Sequence, residues 1–272
     1  MNNLLNRSLY YLGHPIALIG KIRERILLNG DKRKFSIEVA TTRQEDFFAQ
    51  LDINRNEAIE LLSHLVGADY KIDSEHHLFF AGLAARYKSK KFNRILEIGT
   101  YDGSNAALLS KLFPSAEVTT IDLPDDDPIF LSSYNRNDRN FLESFINLRK
   151  NNLDSSGKIK FLQNNSLNLI DVADKFDLVW VDGAHGYPVV AVDITNALRL
   201  VGVGGFVVCD DVWIGRDETE RDHMYKSDAT HEVLRAFEQA GMIKYKFIYK
   251  RISFESIGIR TRKEFIAVAV RV

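Results

Sequence analysis

One cysteine, Cys209, is all that this 272-residue chain carries. No internal disulfide can form, and a reducing compartment fits; we expect a cytoplasmic protein. Cys209 sits inside the apolar run GGFVVCDDVW, which points to buried filler rather than a nucleophile. Five prolines and 16 glycines are scattered without forming a Pro/Gly-rich linker, and the chain lacks repeats and low-complexity tracts. Charge of either sign is not in excess: 36 Lys and Arg against 37 Asp and Glu leave a net −1, with no global field to draw in nucleic acid or an anionic membrane. Long apolar runs are missing too. The opening MNNLLNRSLYYLGHPIALIGKIRERILL is broken by Arg7, His14, Lys21, Arg23 and Arg25, which argues against a signal peptide and against a membrane span of about 20 apolar residues. We expect this segment to pack against the rest of the chain or to join two subunits of a homo-oligomer.

What remains is an ordinary globular composition, 45% hydrophobic and 27% charged. Ala58, Leu61, Leu62, Leu65 and Val66 share one helical face within Asn54 to Val66, and a second helix is expected from an Asp73 cap through SEHHLFFAGLAARY. From Arg94 the texture changes to short apolar runs alternating with helical segments, the pattern of a parallel sheet covered on both faces. Strands are expected at Arg94 to Ile98, Glu117 to Asp122, Lys158 to Gln163, Phe176 to Asp182 and Gly205 to Asp210. Helices are expected over Ser104 to Phe113, Arg139 to Asn151, Pro188 to Leu200 and Thr230 to Ala240. IKYKFIYK and EFIAVAV suggest a terminal antiparallel pair, and the lysines of KYKFIYKR (Lys244 to Arg251) are read as solvated guards of a strand edge. The organisation is therefore a helical extension over 1–90 and an α/β domain over 91–272.

The stretch ILEIGTYDGSN (Ile95 to Asn105) ends a strand on Glu97 and turns through Gly99 and Gly103. Ligands of open α/β sheets bind at the carboxyl ends of strands, and glycines there leave no Cβ in the way. A dinucleotide pyrophosphate is excluded by the carboxylate at the first position of the turn, whereas an ammonium-bearing ligand such as the methionine end of S-adenosylmethionine suits Glu97. Asp122, closing the next strand, is placed to accept from both ribose hydroxyls.

These residues resemble the class I S-adenosylmethionine-dependent methyltransferases, whose E/D-x-G-x-x-x-G motif is matched by Glu97, Gly99 and Gly103 and whose ribose-binding acid is matched by Asp122. LEIGTYDGSN is most similar to small-molecule O-methyltransferases related to catechol O-methyltransferase. The resemblance covers about Arg94 to Val272. It implies a Rossmann-like, seven-stranded, mostly parallel sheet with an antiparallel last strand and helices on both faces. It also implies cofactor contacts from Thr100, Tyr101, Ser104 and Asp182 beside the motif residues, and from Ser166 toward the adenine end.

A second constellation closes two neighbouring strands, WVDGAHGYP (Trp180 to Pro188) and VVCDDVW (Val207 to Trp213). Asp182, Asp210 and Asp211 then crowd beside the cofactor cleft, where mutual repulsion disfavours full ionisation unless a cation intervenes; all-oxygen ligands favour Mg²⁺ or another hard divalent ion. The alternative is that Asp182 caps the following helix, Asp210 bonds the cofactor or backbone, and Asp211 is solvated. By resemblance to metal-dependent O-methyltransferases, the three aspartates fall on metal positions. His185 falls where the catechol enzymes carry a lysine base, and sugar-modifying relatives share D-G-x-H, so His185 is the expected general base.

The run Ile214 to Glu232 has the length and polarity of a lid, or of a solvated loop. The insertion Leu123 to Asn140 carries Tyr134 and Arg136, able to meet a polar substrate. The remaining histidines, including His76 and His77, are read as surface or packing residues. The expected activity is methyl transfer to a hydroxyl of a small polar molecule, a sugar or glycosylated natural product. A catechol-type phenol acceptor and a non-catalytic cofactor-binding protein are the rival readings.

Overall fold

The computed structural model describes residues 15–67, 69–87, 92–215, 227–257 and 263–272. Side-chain caps open two of the four leading helices, α1 (Pro15–Lys34), α2 (Ile37–Gln50), α3 (Arg55–Val66) and α4 (His76–Arg86). Ser36 accepts from the Val39 amide at 3.3 Å, and Asn54 accepts from the amides of Asn56 and Glu57, satisfying donors that a helix start leaves free. The expected Asp73 cap is not made: α4 begins without a side-chain cap, and Asp73 lies 3.9 Å from the His77 ring instead.

The strands follow as β1 (Arg94–Ile98), β2 (Glu117–Asp122), β3 (Ile159–Gln163), β4 (Phe176–Val181), β5 (Val201–Ile214), β6 (Ile243–Tyr249) and β7 (Lys263–Arg271). Between them lie α5 (Ser104–Leu112), α6 (Pro128–Ser132), α7 (Arg139–Leu153), α8 (Val189–Leu200), α9 (Ala229–Gln239) and the short α10 (Phe254–Ile257). They form one seven-stranded sheet in the order β3-β2-β1-β4-β5-β7-β6, parallel except for β7, which runs antiparallel to both its neighbours. The order reverses between β1 and β4, so the carboxyl ends of those two strands part to leave a crevice.

Strand β4 shows why two covering layers are required. Leu178 and Trp180 enter one apolar cluster while Val179 and Val181 enter the other, and all four are buried. Alternation with period two makes a run that is apolar at every position soluble only between two layers. One layer is built from α2 to α5, including Phe48, Leu62, Phe79, Phe80 and Leu109; each such side chain, fully buried, contributes about 1.5–3 kcal/mol. The other comes from α8 and α9, through Val190, Ile194, Leu198 and Leu234. Residues of the leading helices from α2 onward thus share a core with the sheet.

Strand β5 is longer than the expected Gly205 to Asp210, because pairing with β7 resumes beyond a bulge and continues to Ile214. The bulge falls between Cys209 and Val212, with Asp211 at φ +47. Two consecutive acids would ordinarily point to opposite faces; the extra residue turns both toward the same group. Cys209 is buried, and burial raises its thiol pKa, in keeping with filler. No helix among the described residues is long and apolar enough to cross a membrane.

Candidate active site

The turn after β1 is shaped first by the protein itself. At Gly99, φ is +100, and a Cβ would lie 2.1 Å from the main-chain carbonyl oxygen of Asp182 at the end of β4. A side chain there would force apart the two strands that flank the crevice. Gly103, at φ +75, starts α5 with a Cβ position 3.0 Å from Leu153. Glu97 is buried behind this turn, with Thr120 donating to one carboxylate oxygen at 2.5 Å and Asn105 to the other at 2.8 Å. Burial raises its pKa to about 8 against those two hydrogen bonds, with Asp182 and Asp122 adding repulsion. Glu97 therefore ties the turn to β2 and α5 and is not among the residues lining the crevice.

Asp122 does line it. Its carboxylate accepts from the amides of Leu123 at 2.8 Å and Tyr101 at 3.0 Å, which fix its direction. Burial raises its pKa, opposed by those amides and by Arg136 and Arg149. The crevice is bounded by Ile98, Gly99 and Tyr101 on one side, by Ile129, Phe130 and Arg136 above, and by Asn165, Ser166 and Asp193 toward β3. Arg136 is buried with its guanidinium 4.0 Å from the Phe130 ring centroid and 4.3 Å from that of Phe145, a geometry that favours a cation over aromatic faces. Asp193 on α8 lies beneath Gly183 and beside Ser166, its pKa raised to about 6 by burial. Thr100 is buried and its hydroxyl meets that of Thr120 at 2.6 Å; Ser104 turns to Asp102 at 2.6 Å.

The acidic group lies at the end of β4 and in the β5 bulge. His185 Nε2 stands 3.5 Å from Asp182 and 3.6 Å from Asp211, with its side chain buried. Burial alone would lower its pKa, but the Asp182 hydrogen bond and the Asp211 charge prevail and raise it. Lys250, the residue after β6, reaches across β7: its Nζ donates to Asp210 at 2.8 Å and, at shorter range, to Asp211, and lies 3.7 Å from Glu264. Arg251 holds Glu264 at 3.0 and 3.1 Å. The leading helices brace this loop, since the Glu75 amide donates to the Lys250 carbonyl at 2.8 Å while Arg55 grips the Glu75 carboxylate by two bonds. His76 is buried against Trp180, with ring centroids 4.9 Å apart, and accepts or donates at Ser74.

Residues 96–212 match a family model described as a methyltransferase domain. This segment is a methyltransferase domain. The chain is similar to Rv0187 from MTB, solved with cofactor bound, at 20% identity and a TM-score of 0.52, covering 78% of this chain and 87% of that one. It is also similar to a protein from Staphylococcus aureus provisionally named a caffeoyl-CoA O-methyltransferase, at 16% identity and a TM-score of 0.50, covering 92% and 100%. At such identities the likeness is one of fold. No curated protein matches the chain. The expectation of a class I S-adenosylmethionine-dependent methyltransferase stands for this domain, with the sheet order and the antiparallel β7 that go with it.

Within the methyltransferase domain, the structure gathers the expected residues into two groups. Gly99, Tyr101, Asp122, Ser166 and Asp182 border the crevice, whereas Glu97, Thr100, Gly103 and Ser104 shape the turn from behind. A methionine-linked adenosine fits the first group: Asp122 presents an acceptor beside apolar walls, and no Cβ obstructs the turn at Gly99. A divalent cation does not fit the acidic group of Asp182, Asp210 and Asp211. Lys250 already donates to Asp210 and Asp211, and no group of described residues has the arrangement of a metal site. The expected Mg²⁺ finds no support among the described residues.

Sequence reasoning missed Lys250, Glu264 and Asp193. The lysine-rich run was expected to be solvated throughout; Lys244 and Lys246 are exposed, but Lys250 is buried. The available signal was Ile248, an apolar residue in register with those lysines, which marks where that face of β6 turns inward. His76 and His77 were assigned to surface or packing; His76 is a packing residue in the core. Of the polar run Ile214 to Glu232, residues 216–226 lie outside the described residues, as do His14 and His223.

Proposed function

We propose that this protein transfers the methyl group of S-adenosylmethionine to a hydroxyl of a small polar molecule, a sugar or a glycosylated natural product. The observation that carries the reading is the meeting of His185 with Asp182 and Asp211 at the end of β4, where the main-chain carbonyl of the same Asp182 packs on Gly99. The cofactor supplies an electrophilic methyl on a sulfonium, a good leaving group. Asp122 holds the ribose hydroxyls, the Ser166 and Asp193 side receives the adenine, and the turn from Gly99 to Tyr101 with Asp182 takes the methionine end. Glu97, Thr100, Gly103 and Ser104 serve cofactor binding by keeping the turn in shape.

The neutral His185 ring accepts the hydroxyl proton as the acceptor oxygen bonds to the methyl carbon and the sulfur–carbon bond breaks, leaving a neutral thioether. Asp182 and Asp211 stabilise the imidazolium so formed. The histidine, in place of a lysine, favours the sugar-type acceptor over the catechol type. Divalent-cation assistance, expected from the three aspartates, is not part of this reading. Exposed Ile19, Ile22 and Ile26 on α1 support pairing of two chains through the leading helices, and the single buried cysteine supports a cytoplasmic setting.

Calorimetric titration with S-adenosylhomocysteine tests the cofactor half. Asp122→Ala is expected to weaken binding about 10- to 100-fold, as the loss of hydrogen bonds to a charged group costs about 1.5–3 kcal/mol. Equal affinity in the variant would remove Asp122 from the ribose site. Tight binding with no methyl transfer to any of a panel of sugars, polyols and catechols would favour a non-catalytic binder.

A further inference from the structure

The residue after β6 does something that the aspartates alone do not explain. Lys250 is buried, comes from the far side of the sheet, and spends its donors on the two carboxylates that the β5 bulge turns to one side. We propose that Lys250 is the resident cation of this site, occupying the position for which metal-dependent relatives import a divalent ion, and that it positions His185 through Asp211. This rests on the reading above as far as methyl transfer is concerned; the placement of the charge does not.

Three arrangements support it. Asp211 is shared: one oxygen meets the Lys250 ammonium, and the other faces His185 at 3.6 Å, so the lysine fixes the carboxylate that orients the imidazole. Glu264, the fourth carboxylate of the group, accepts hydrogen bonds from Arg251 and lies 3.7 Å from Lys250, so the hydrogen bonds of the ammonium go to the aspartate pair. Finally, the loop carrying Lys250 is anchored at its carbonyl by the Glu75 amide at 2.8 Å, so the ammonium is delivered from a braced backbone. An ammonium whose donors are committed to protein carboxylates has no open coordination position to polarise an acceptor hydroxyl. Activation of that hydroxyl then falls to His185, and Lys250 is a positioning residue.

Mn²⁺, a paramagnetic stand-in for Mg²⁺, distinguishes the cases without any need for an acceptor. Titrated into the wild-type protein and followed by electron paramagnetic resonance, it is expected to show no stoichiometric site up to millimolar concentration. Lys250→Met is expected to gain one Mn²⁺ per chain, lost again in the Lys250→Met/Asp210→Asn pair, while Lys250→Arg stays without one. A wild-type site that Asp210→Asn removes would overturn the proposal, as would a folded Lys250→Met protein that binds none. A measurement on the wild type alone covers the case in which that variant does not fold: Mn²⁺ should leave the nuclear magnetic resonance signals of the His185 ring unbroadened, and selective broadening would refute the assignment. The positioning role is read from the pH–rate profile, whose midpoint should move in Lys250→Met and return toward wild type in Lys250→Arg; a midpoint unmoved in Lys250→Met would refute it. Failure of S-adenosylhomocysteine to bind would instead strike the proposed activity and leave the Mn²⁺ result standing.

Discussion

Replacing Gly99 by alanine separates two contributions that the structure puts at one position. The added Cβ is held at φ +100, and it would also sit 2.1 Å from the Asp182 carbonyl oxygen. The first effect costs about 1–2 kcal/mol for an L-residue in left-handed backbone. The second requires β1 and β4 to move apart in a packed core, an overpacking cost of about 1–3 kcal/mol. Gly204 supplies the control, since its φ is +73 but nothing lies within 4 Å of a Cβ there. Urea unfolding is expected to show Gly204→Ala destabilised by about 1–2 kcal/mol and Gly99→Ala by about 2–5 kcal/mol. Gly99→Ala should also lose affinity for S-adenosylhomocysteine, which Gly204→Ala should keep. Two variants within about 0.5 kcal/mol of each other would refute the claim that strand approach, rather than backbone angle alone, demands glycine at this turn.

Two titrating groups give further tests. His185→Ala is expected to lower turnover about 10²- to 10⁴-fold. In the wild type the rate should rise with pH through a midpoint above the ordinary histidine value, because the acidic neighbours raise the pKa and only the neutral ring accepts a proton; an unchanged profile in the variant would exclude the role. Glu97 takes up a proton on folding, its pKa rising from 4.5 to about 8. Its contribution to stability is therefore complete below pH 4.5 and is lost as pH rises through 8, at up to about 1.4 kcal/mol per pH unit for one proton. Glu97→Gln should flatten the fall in unfolding free energy between pH 5 and 9 relative to wild type, leaving whatever Asp122, Asp182 and Asp193 contribute; parallel curves would count against the buried proton.

The sheet was legible because its central strands β1, β4 and β5 carry apolar residues on both faces. The Arg94–Ile98 and Glu117–Asp122 limits fall where the sequence reading put them, and the antiparallel terminal pair is present. The crevice followed from the glycine turn and Asp122 for the same local reason. Glu97 was read as facing a ligand because a strand end is an exposed place on average; here Thr120 and Asn105 enclose it. Asp210 and Asp211 were recognised as a pair, but a bulge is a property of two paired strands, so their common direction was not written in either one alone. Lys250 was hidden for the strongest reason: its partners lie 39 and 40 positions earlier, and only the folding of β7 between β5 and β6 brings them together.

The loop after the sheet's edge strand thus carries weight beyond its length. Lys250 and Glu264 both come from beyond residue 212, where the matched methyltransferase segment ends, while the acids that Lys250 neutralises come from inside it. If Lys250 is the resident cation proposed above, the charge balance of the centre is set by a side chain from outside the matched segment, and exchanging that one side chain is expected to turn a self-sufficient pocket into one that must borrow its charge from solution.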